Sequence, residues 1–466
     1  MPGRTLLHIG DPWAPVRSHQ APPAAPPDPE RVAYLGFTSG STGEPKAALI
    51  PQRGVLRLAR DPELLVPGAT ERFVRLAPLA FDASTLEIFA PLLAGGTIDV
   101  FGAGHPTPAA LAAFLADRDS TGLWLTAGLF RLVADYQPEA FGGLRQVLTG
   151  GDVVPPAQVA RVLTSCPGLR VTNGYGPTEN TTFTTTHTVA DPAAVDDPLP
   201  IGRPVGGTGV VVLDRHGRPV PPGGVGELYT SGAGLALGYA GRPRETAAAF
   251  IARDGELFYR TGDLVRWDRA GRLRFLGRSD RQVKIRGFRI ELDAVARTLR
   301  EHPEVRDVAV LAAPGGADRR LLAALVADDR PGLVEQVRRF AADRLPGYAV
   351  PSLWTVVAKL PVTRNGKLDA GLLRDLAAQP VAQEQSAAPG DELTATITRA
   401  WAEVLGTARF GLDERFFEVG GDSLRLLRVA ASLRRELPSH DVTVQDLFAC
   451  QTIRALSGRL SARTAR

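Results

Sequence analysis

An α/β protein in three parts is what this sequence predicts: a large lobe of layered sheets and helices with a β-rich end, a small α/β lobe, and a helical bundle. Three observations carry that reading. After residue 30, short apolar runs ending in Gly or Pro (RVAYLGFTSG, RQVLTGGD, LRVTNGYGP) alternate with helical patterns such as TPAALAAFLADR (107–118) and PPAQVARVLTSC (155–166). Such alternation argues a largely parallel sheet layered with helices. From about 205 to 276 strands dominate and hairpin signals recur, as in DRHGRPVPPGGVGEL and WDRAGRLRFLG, which points to antiparallel pairing. Near the C-terminus Leu393, Ile397, Trp401, Val404 and Leu405 share one helix face, and Leu426, Ala430, Leu433 and Leu437 share another.

The parts follow in order along the chain. QAPPAAPPDP (20–29) reads as an extended crossing. The large lobe is expected to span 1–279. GRSDRQVKIRGFRIEL (277–292), with 284–291 read as one strand, leads into the small lobe, expected at 280–377. That lobe holds the helix LDAVARTLREH, the strands VRDVAVLAA and RLLAALVAD, and the helix VEQVRRFAADRL. Residues 378–390, AQPVAQEQSAAPG, lack apolar bulk and read as a linker, with the bundle at 391–462.

Totals narrow the function classes. A chain of 466 residues exceeds one ordinary core. With 54 Lys plus Arg against 50 Asp plus Glu, the net charge is only +4, and the basic residues are scattered among acids. That gives no footprint for nucleic acid. Cys166 and Cys450 stand far apart, so neither a disulfide framework nor a zinc site is expected, as suits a reducing cytoplasm. No apolar run approaches the length of a membrane span, and MPGRTLLHIGDPWAP is too broken for a signal peptide. The expectation is a cytoplasmic protein without membrane or nucleic-acid partners.

FTSGSTGEPK (37–46) is the first chemical motif. Thr38, Ser39, Ser41 and Thr42 offer hydroxyls, Gly40 and Gly43 let backbone amides approach a ligand, and Lys46 adds a positive charge. The set suits phosphate oxygens, although the Walker A spacing is absent. Alone it is also an ordinary Ser/Gly surface loop. The order of the motifs decides. YLGFTSGSTGEPK (34–46), FDAST (81–85), NGYGPTENTT (173–182), GELYTSGAGLALGY (226–239), YRTGDLVRW (259–267), GRSDRQVKIRGFRIEL, LPGYAVP (345–351) and NGKLD (365–369) stand in sequence. Together they resemble the amino-acid-activating adenylation domain of nonribosomal peptide synthetases, within the adenylate-forming superfamily. FFEVGGDSLRLLRV (416–429) resembles a peptidyl carrier domain.

The resemblance implies two reactions: formation of an aminoacyl-AMP from MgATP, then transfer of the acyl group to a thiol. It implies that the loop from Thr38 to Lys46 cradles the β- and γ-phosphates. Glu179 is the implied Mg²⁺ ligand, a hard-oxygen donor beside phosphates. Thr178 is implied to contact the α-phosphate, Tyr175 to pack on the adenine, and Asp263, supported by Arg278, to accept both ribose hydroxyls. Lys367 is implied to bridge the substrate carboxylate and the α-phosphate, where a fixed positive charge acts on the transition state. Asp280 matches the hinge about which the small lobe swings, and Gly287 leaves room for the carrier arm. Ser423 is the implied attachment point of 4′-phosphopantetheine, which calls for a phosphopantetheinyl transferase as partner. Read alone, Asp263 is a turn residue, Lys367 a solvated lysine, and Ser423 a helix N-cap.

Asp82 carries the substrate class. Relatives with Asp at this position bind an α-ammonium group, and a buried carboxylate without such a partner is costly. Read alone, it caps the helix that follows. The remaining pocket positions map to Ala83, Leu86, Trp124, Leu148, Gly150, Gly174, Thr182 and Phe183, mostly apolar and uncharged. They suit a small aliphatic amino acid, valine first, with isoleucine, leucine or alanine behind.

The sequence departs from the family at its beginning. Most of the portion that usually precedes the phosphate loop has no counterpart, and RTLLHIGDPWAP resembles the last strand of that portion. Apolar surface is therefore expected to lie exposed. A second chain supplying that portion, synthetase domains acting in trans, and a small accessory activator are the implied protein partners. Two other readings compete with the enzyme: a catalytically incomplete fragment acting as carrier or scaffold, and an aryl- or acyl-acid ligase.

Overall fold

The computed structural model describes residues 28–38, 45–102, 106–279, 282–285, 288–313, 320–328, 330, 332–361, 368–378, 391–406, 410–414, 416, 419, 421, 423–443, 446–447 and 450–464. Strands β1 (Val32–Thr38) and β2 (Lys46–Pro51) form an antiparallel hairpin that closes on the pair Thr38–Lys46. Helix α1 (Gln52–Arg60) follows directly. The central sheet is built from β3 (Arg72–Arg75), β4 (Thr97–Val100), β5 (Gly122–Thr126), β6 (Gln146–Gly150), β7 (Arg170–Tyr175), β8 (Thr185–Val189) and β9 (Arg203–Pro204). Its order is β4-β3-β5-β6-β7-β8-β9, parallel as far as β7 and antiparallel beyond. Parallel neighbours need crossovers. Here α2 (Ala83–Leu93), α3 (Pro108–Arg118), α4 (Ala127–Tyr136) and α5 (Pro156–Ser165) supply them.

Period-two alternation divides the two faces of this sheet. Leu123, Leu125, Val147 and Val171 pack on Leu111, Phe130, Val133, Val159 and Val162 of α3, α4 and α5. Trp124 and Leu148 point the other way and join Leu58 of α1 and Ala83, Leu86 and Ala90 of α2. The sequence thus sets one apolar core on one face of the sheet and a second on the other.

The β-rich part is antiparallel, as its hairpin signals require. Its strands are β10 (Thr208–Leu213), β11 (Gly226–Gly232), β12 (Phe250–Arg253), β13 (Glu256–Trp267) and β14 (Leu273–Arg278). Beyond it the reading of 284–291 as one strand is corrected. Residues Gln282–Ile285 (β15) and Phe288–Glu291 (β16) pair with each other, and Ile285 lies opposite Phe288. Only two residues, one of them Gly, join the paired strands, which is the length of a tight hairpin connection.

In the small lobe β17 (Asp307–Ala313) pairs antiparallel with β18 (Arg320–Val326). A third strand, β19 (Leu353–Val357), runs parallel to β18 and has no counterpart in the sequence reading. Val308 and Val310 face the helices Leu292–Arg300 and Leu333–Ala342, whereas Ala309 and Leu311 face Leu373 of the helix Ala370–Ala378. The C-terminal helices Glu392–Leu405, Ser423–Glu436 and Ile453–Thr464 close around Trp401, whose ring meets Phe416 at 4.8 Å and Phe410 at 5.7 Å. Asp391 caps the first of these by accepting from the Thr394 amide at 2.6 Å. No described helix is long and apolar enough to cross a membrane.

Candidate active site

The site is built where β6 and β7 end. Gly150 pairs with Gly174, and a Cβ on Gly150 would stand 2.0 Å from the Gly174 carbonyl oxygen. A Cβ on Gly174 would meet the Phe183 ring at 2.4 Å. Both positions therefore need glycine so that the following turn can fold back on the strand ends. That turn starts with a 3₁₀ segment, Thr178–Asn180, and continues through Thr181 and Thr182, both left-handed with φ of 50° and 68°. Two successive β-branched residues in this region are costly and mark a constrained segment.

The turn gathers the predicted residues. Thr178 Oγ1 donates to Asp82 Oδ2 at 2.5 Å, and Thr182 Oγ1 donates to the Asp82 carbonyl at 2.9 Å. Asp82 precedes α2, yet its side chain makes no capping bond to that helix. Its carboxylate is aimed at the turn, so the simple N-cap reading fails. Asp263 lies inside the long strand β13 and is buried, which excludes the turn reading for it as well. Its Oδ2 accepts the Tyr175 hydroxyl, and its Oδ1 accepts Arg278 Nη1 at 2.7 Å. Arg278 also donates to the Thr261 carbonyl at 3.1 Å. Burial and the neighbouring Asp263 carboxylate push the Tyr175 hydroxyl well above its ordinary pKa, which keeps it a donor.

Glu179 is fully buried, and its Oε1 accepts from the Tyr239 hydroxyl at 2.6 Å. Lys46 Nζ lies 4.7 Å from the centre of the same tyrosine ring. Tyr239 thus links Lys46, at the start of β2, to the acid of the turn. Ala83, Leu86, Trp124, Leu148 and Phe183 belong to one buried apolar cluster. The Trp124 ring stands 5.5 Å from Phe81, and Phe81 stands 6.0 Å from Phe288 of the small lobe.

Several expected residues lie outside the described set: Ser39, Gly40, Ser41, Thr42 and Gly43 of the loop, Asp280, Gly287, Lys367, residues 379–390, and the RTLLHIGDPWAP strand. Ser423 opens its helix, but its side chain is also outside that set.

Three side chains important to this geometry were not anticipated. Tyr239 sat in a quoted motif without a role. Glu87 is fully buried on α2 and accepts the amides of Leu76 and Ala77 at 2.9–3.1 Å, tying the exit of β3 to that helix. Burial, opposed by those amide bonds, pushes its pKa up to about 7. Arg57 of α1 donates to three carbonyls of the turn. Both charged residues sit in helices where charge ordinarily signals solvent, so no pattern in the sequence marked them. A separate cleft of about 280 Å³, lined by Glu63, Thr186, His187, Thr188, Arg203 and Arg272, contains none of the predicted residues. Its arginines are already held, Arg272 by Asp196 and Asp268 and Arg203 by the Ala270 carbonyl.

The donors present fit the expected ligands. Each oxygen of Asp263 accepts one bond here, and a carboxylate oxygen has capacity for a second, as two ribose hydroxyls require. Among the described residues no cluster of three or more His, Cys, Asp or Glu could enclose a metal. A buried carboxylate such as Glu179 suits Mg²⁺, which commonly takes one or two protein carboxylates together with phosphate oxygens and water.

Comparison with known proteins places this geometry. The chain matches the AMP-binding enzyme family over residues 5–240, the AMP-binding enzyme C-terminal domain over 295–367, and the phosphopantetheine attachment site over 395–460. It is 40% identical over 437 residues to malpibaldin synthetase of Mortierella alpina, covering 92% of this chain and 8% of that protein. It is 40% identical to phosphinothricin tripeptide synthetase PhsC of Streptomyces viridochromogenes, covering 95% of this chain and 41% of that one. It thus spans less than half the length of either synthetase. Among solved structures it is similar to holo-PA1221, a nonribosomal peptide synthetase protein with adenylation and carrier domains, at 37% identity and a TM-score of 0.81, covering 97% of this chain and 76% of that one. The chain belongs to the AMP-binding enzymes, as an AMP-forming adenylation unit of nonribosomal peptide synthetase type followed by a phosphopantetheine carrier domain.

Proposed function

We propose that this chain activates a small aliphatic amino acid, valine first, as its aminoacyl-AMP and transfers the acyl group to its own carrier domain. One observation carries the reading: residues 175–182 bond Asp82 through Thr178 and Asp263 through Tyr175, and carry Glu179 next to Thr178. An ammonium anchor, a metal-type acid and a ribose-type acid thereby share one short segment. Anchors this close serve reactants that must meet.

Each residue has a role in that reaction. Asp82 holds the substrate ammonium, while Thr178 fixes the carboxylate and stands ready for the α-phosphate. Asp263 accepts the ribose hydroxyls, and Arg278 holds it in orientation. Tyr175 packs beside the adenine. Lys46 and the loop Thr38–Gly43 receive the β- and γ-phosphates. Mg²⁺ held by Glu179 would neutralise phosphate charge. Lys367, carried by the small lobe, offsets charge on the substrate carboxylate and α-phosphate as the new P–O bond forms and pyrophosphate leaves. Asp280 is the hinge that then exchanges Lys367 for the carrier. The 4′-phosphopantetheine arm on Ser423, installed by a phosphopantetheinyl transferase, supplies the acyl-accepting thiol. Ala83, Leu86, Trp124, Leu148 and Phe183 favour a short apolar side chain, with Gly150 and Gly174 letting the turn and the Phe183 ring close over the strand ends and Thr182 holding the Asp82 carbonyl.

Amino-acid-dependent exchange of labelled pyrophosphate into ATP tests the first step, and mass spectrometry of the loaded carrier identifies the acyl group. Ser423→Ala should keep exchange and abolish loading. Exchange driven by benzoates or fatty acids, unchanged in Asp82→Ala, would instead support an aryl- or acyl-acid ligase. A second reading has its own observation. The inner face of the β1–β2 hairpin packs on the site, where a Cβ at Gly36 would stand 2.7 Å from Thr178, but its outer face exposes Leu35 (47%) and Phe37 (61%). Those residues pair across the hairpin with Leu49 and Ala47, giving an apolar surface suited to a further polypeptide segment. On this reading the chain is catalytically incomplete by itself. Exchange that appears only after a complementing chain is added supports it, and full exchange by the chain alone refutes it.

A further inference from the structure

Helix α1 meets the site turn through two residues one helical turn apart. At Gly54 a Cβ would stand 2.4 Å from Thr181 Oγ1, so the absent side chain allows helix and turn to touch. At Arg57 the guanidinium reaches past the helix. Its Nη2 donates to the carbonyls of Asn180 at 3.0 Å, Thr181 at 3.0 Å and Phe183 at 2.9 Å, while Nη1 donates to Thr208 Oγ1 at 2.7 Å. A Cβ on Gly234 would stand 2.7 Å from this guanidinium, so the group is also walled in from the β-rich side. No carboxylate pairs with Arg57 among the described residues. Asp61, the nearest acid acting on it, spends its oxygens on the amides of Glu63, Leu64 and Gly206. Burial lowers the Arg57 pKa to about 10, opposed by Asp61 and Tyr34, so the cation persists at neutral pH.

A half-buried arginine that bonds carbonyls instead of an acid is doing a specific task. Backbone carbonyls that converge at a tight turn repel one another, and the Thr181 and Thr182 conformations add strain. A planar cation with several donors offsets both. The carbonyls it gathers flank the functional groups: Asn180 follows Glu179, and Phe183 follows Thr182, which bonds Asp82.

We propose that Arg57 is a positioning residue that holds the left-handed turn 180–183 in shape and thereby sets the distance between the nucleotide-side acid Glu179 and the amino-acid anchor Asp82. This rests on the adenylation reading above. It adds that one cation outside both binding sites couples them, so its loss weakens both substrates together.

Pyrophosphate exchange and amide hydrogen exchange on the full chain, for wild type, Arg57→Lys and Arg57→Ala, test the proposal. Lysine keeps the charge and can turn its single nitrogen to the carbonyls, but it lacks the planar fork whose second arm bonds Thr208 while the first holds the turn. KM for the amino acid and KM for ATP should each rise about tenfold in Arg57→Lys, the scale of losing one charge-assisted hydrogen bond, with a smaller change in kcat. Amides 180–184 should exchange faster, while the carrier helices stay unchanged. In a Thr181→Gly background, where the left-handed conformation is no longer strained, the same replacement should cost less. A lower kcat with both KM values unchanged would mark a merely structural role and overturn the proposal. So would equal cost in the two backgrounds. If the wild-type chain, alone or with a complementing chain, exchanges no pyrophosphate with any amino acid, the adenylation reading fails. The positioning role is then decided by hydrogen exchange alone: unchanged protection of 180–184 in Arg57→Lys overturns it, and faster exchange upholds it.

Discussion

The turn after β7 and the core of the carrier bundle are held in opposite ways. Glu179, Asn180, Thr181, Thr182 and Thr184 are all buried, and the turn is fixed by polar bonds, among them Asn180 to Thr184 and Thr230 and Thr181 to the Gly234 carbonyl. The carrier instead packs Ile397, Trp401, Phe416, Leu426, Val429 and Leu433 into an apolar core. Hydrogen bonds fix direction, whereas apolar burial fixes only volume. On the proposed function, groups that meet a phosphorus and a carboxylate need directional control, whereas a serine that works through a long tether needs only a folded helix to stand on. The contrast is therefore between a part whose geometry must be accurate and a part that must merely stay folded and reach.

Breaking the carrier should have the largest effect on stability and the least on chemistry. Trp401→Ala should destabilise the bundle by about 3–5 kcal/mol, enough to unfold a domain of this size. Loading of the arm should be lost while pyrophosphate exchange persists, as intact-mass analysis and exchange on one preparation would reveal. Asp82→Ala should do the reverse. Losing the charge partner of a bound ammonium costs about 3 kcal/mol, so amino-acid-dependent exchange should fall about a hundredfold with the arm still attached.

Two smaller effects sharpen the contrast within the large lobe. Gly174→Ala drives a methyl into the Phe183 ring, and about 1–3 kcal/mol of strain should appear as a lower urea midpoint and weaker amino-acid binding. Glu87 gives a pH signature. Its folded pKa of about 7 lies above the ordinary 4.5, so the folded chain keeps a proton that the unfolded chain has lost. Stability linked to Glu87 is then full below about pH 4.5 and falls away as pH rises through about 7. Wild type should lose about 1–3 kcal/mol more than Glu87→Gln between pH 5 and pH 8 in urea unfolding. Equal losses would remove Glu87 from the account.

Much of this was legible in the chain. The alternating runs gave the parallel sheet because parallel strands demand crossovers, and TPAALAAFLADR became α3 with Thr107 accepting the Ala110 amide at 3.1 Å as its cap. The spacing of apolar residues gave the carrier helices. Motif order brought Asp82, Thr178, Glu179 and Asp263 under suspicion before any geometry was known. What stayed hidden was the work of charges inside helices. Arg53, Arg57 and Arg60 look alike in QRGVLRLAR, yet Arg53 bonds Glu30 and nearby carbonyls at the molecule's edge, Arg60 is exposed, and Arg57 bonds the backbone of the site turn.

The sequence alone determined the class of fold, the order of its parts and the chemistry its motifs can support, because periodicity and residue type act locally along the chain. Only the tertiary structure decided that Asp82 turns away from its helix toward Thr178, that Asp263 sits within a strand against Tyr175 and Arg278, and that Arg57 grips the turn between them. Those choices depend on which distant segments meet. A buried polar group takes whatever partner the packing brings to it, and nothing in its immediate neighbours along the chain names that partner in advance.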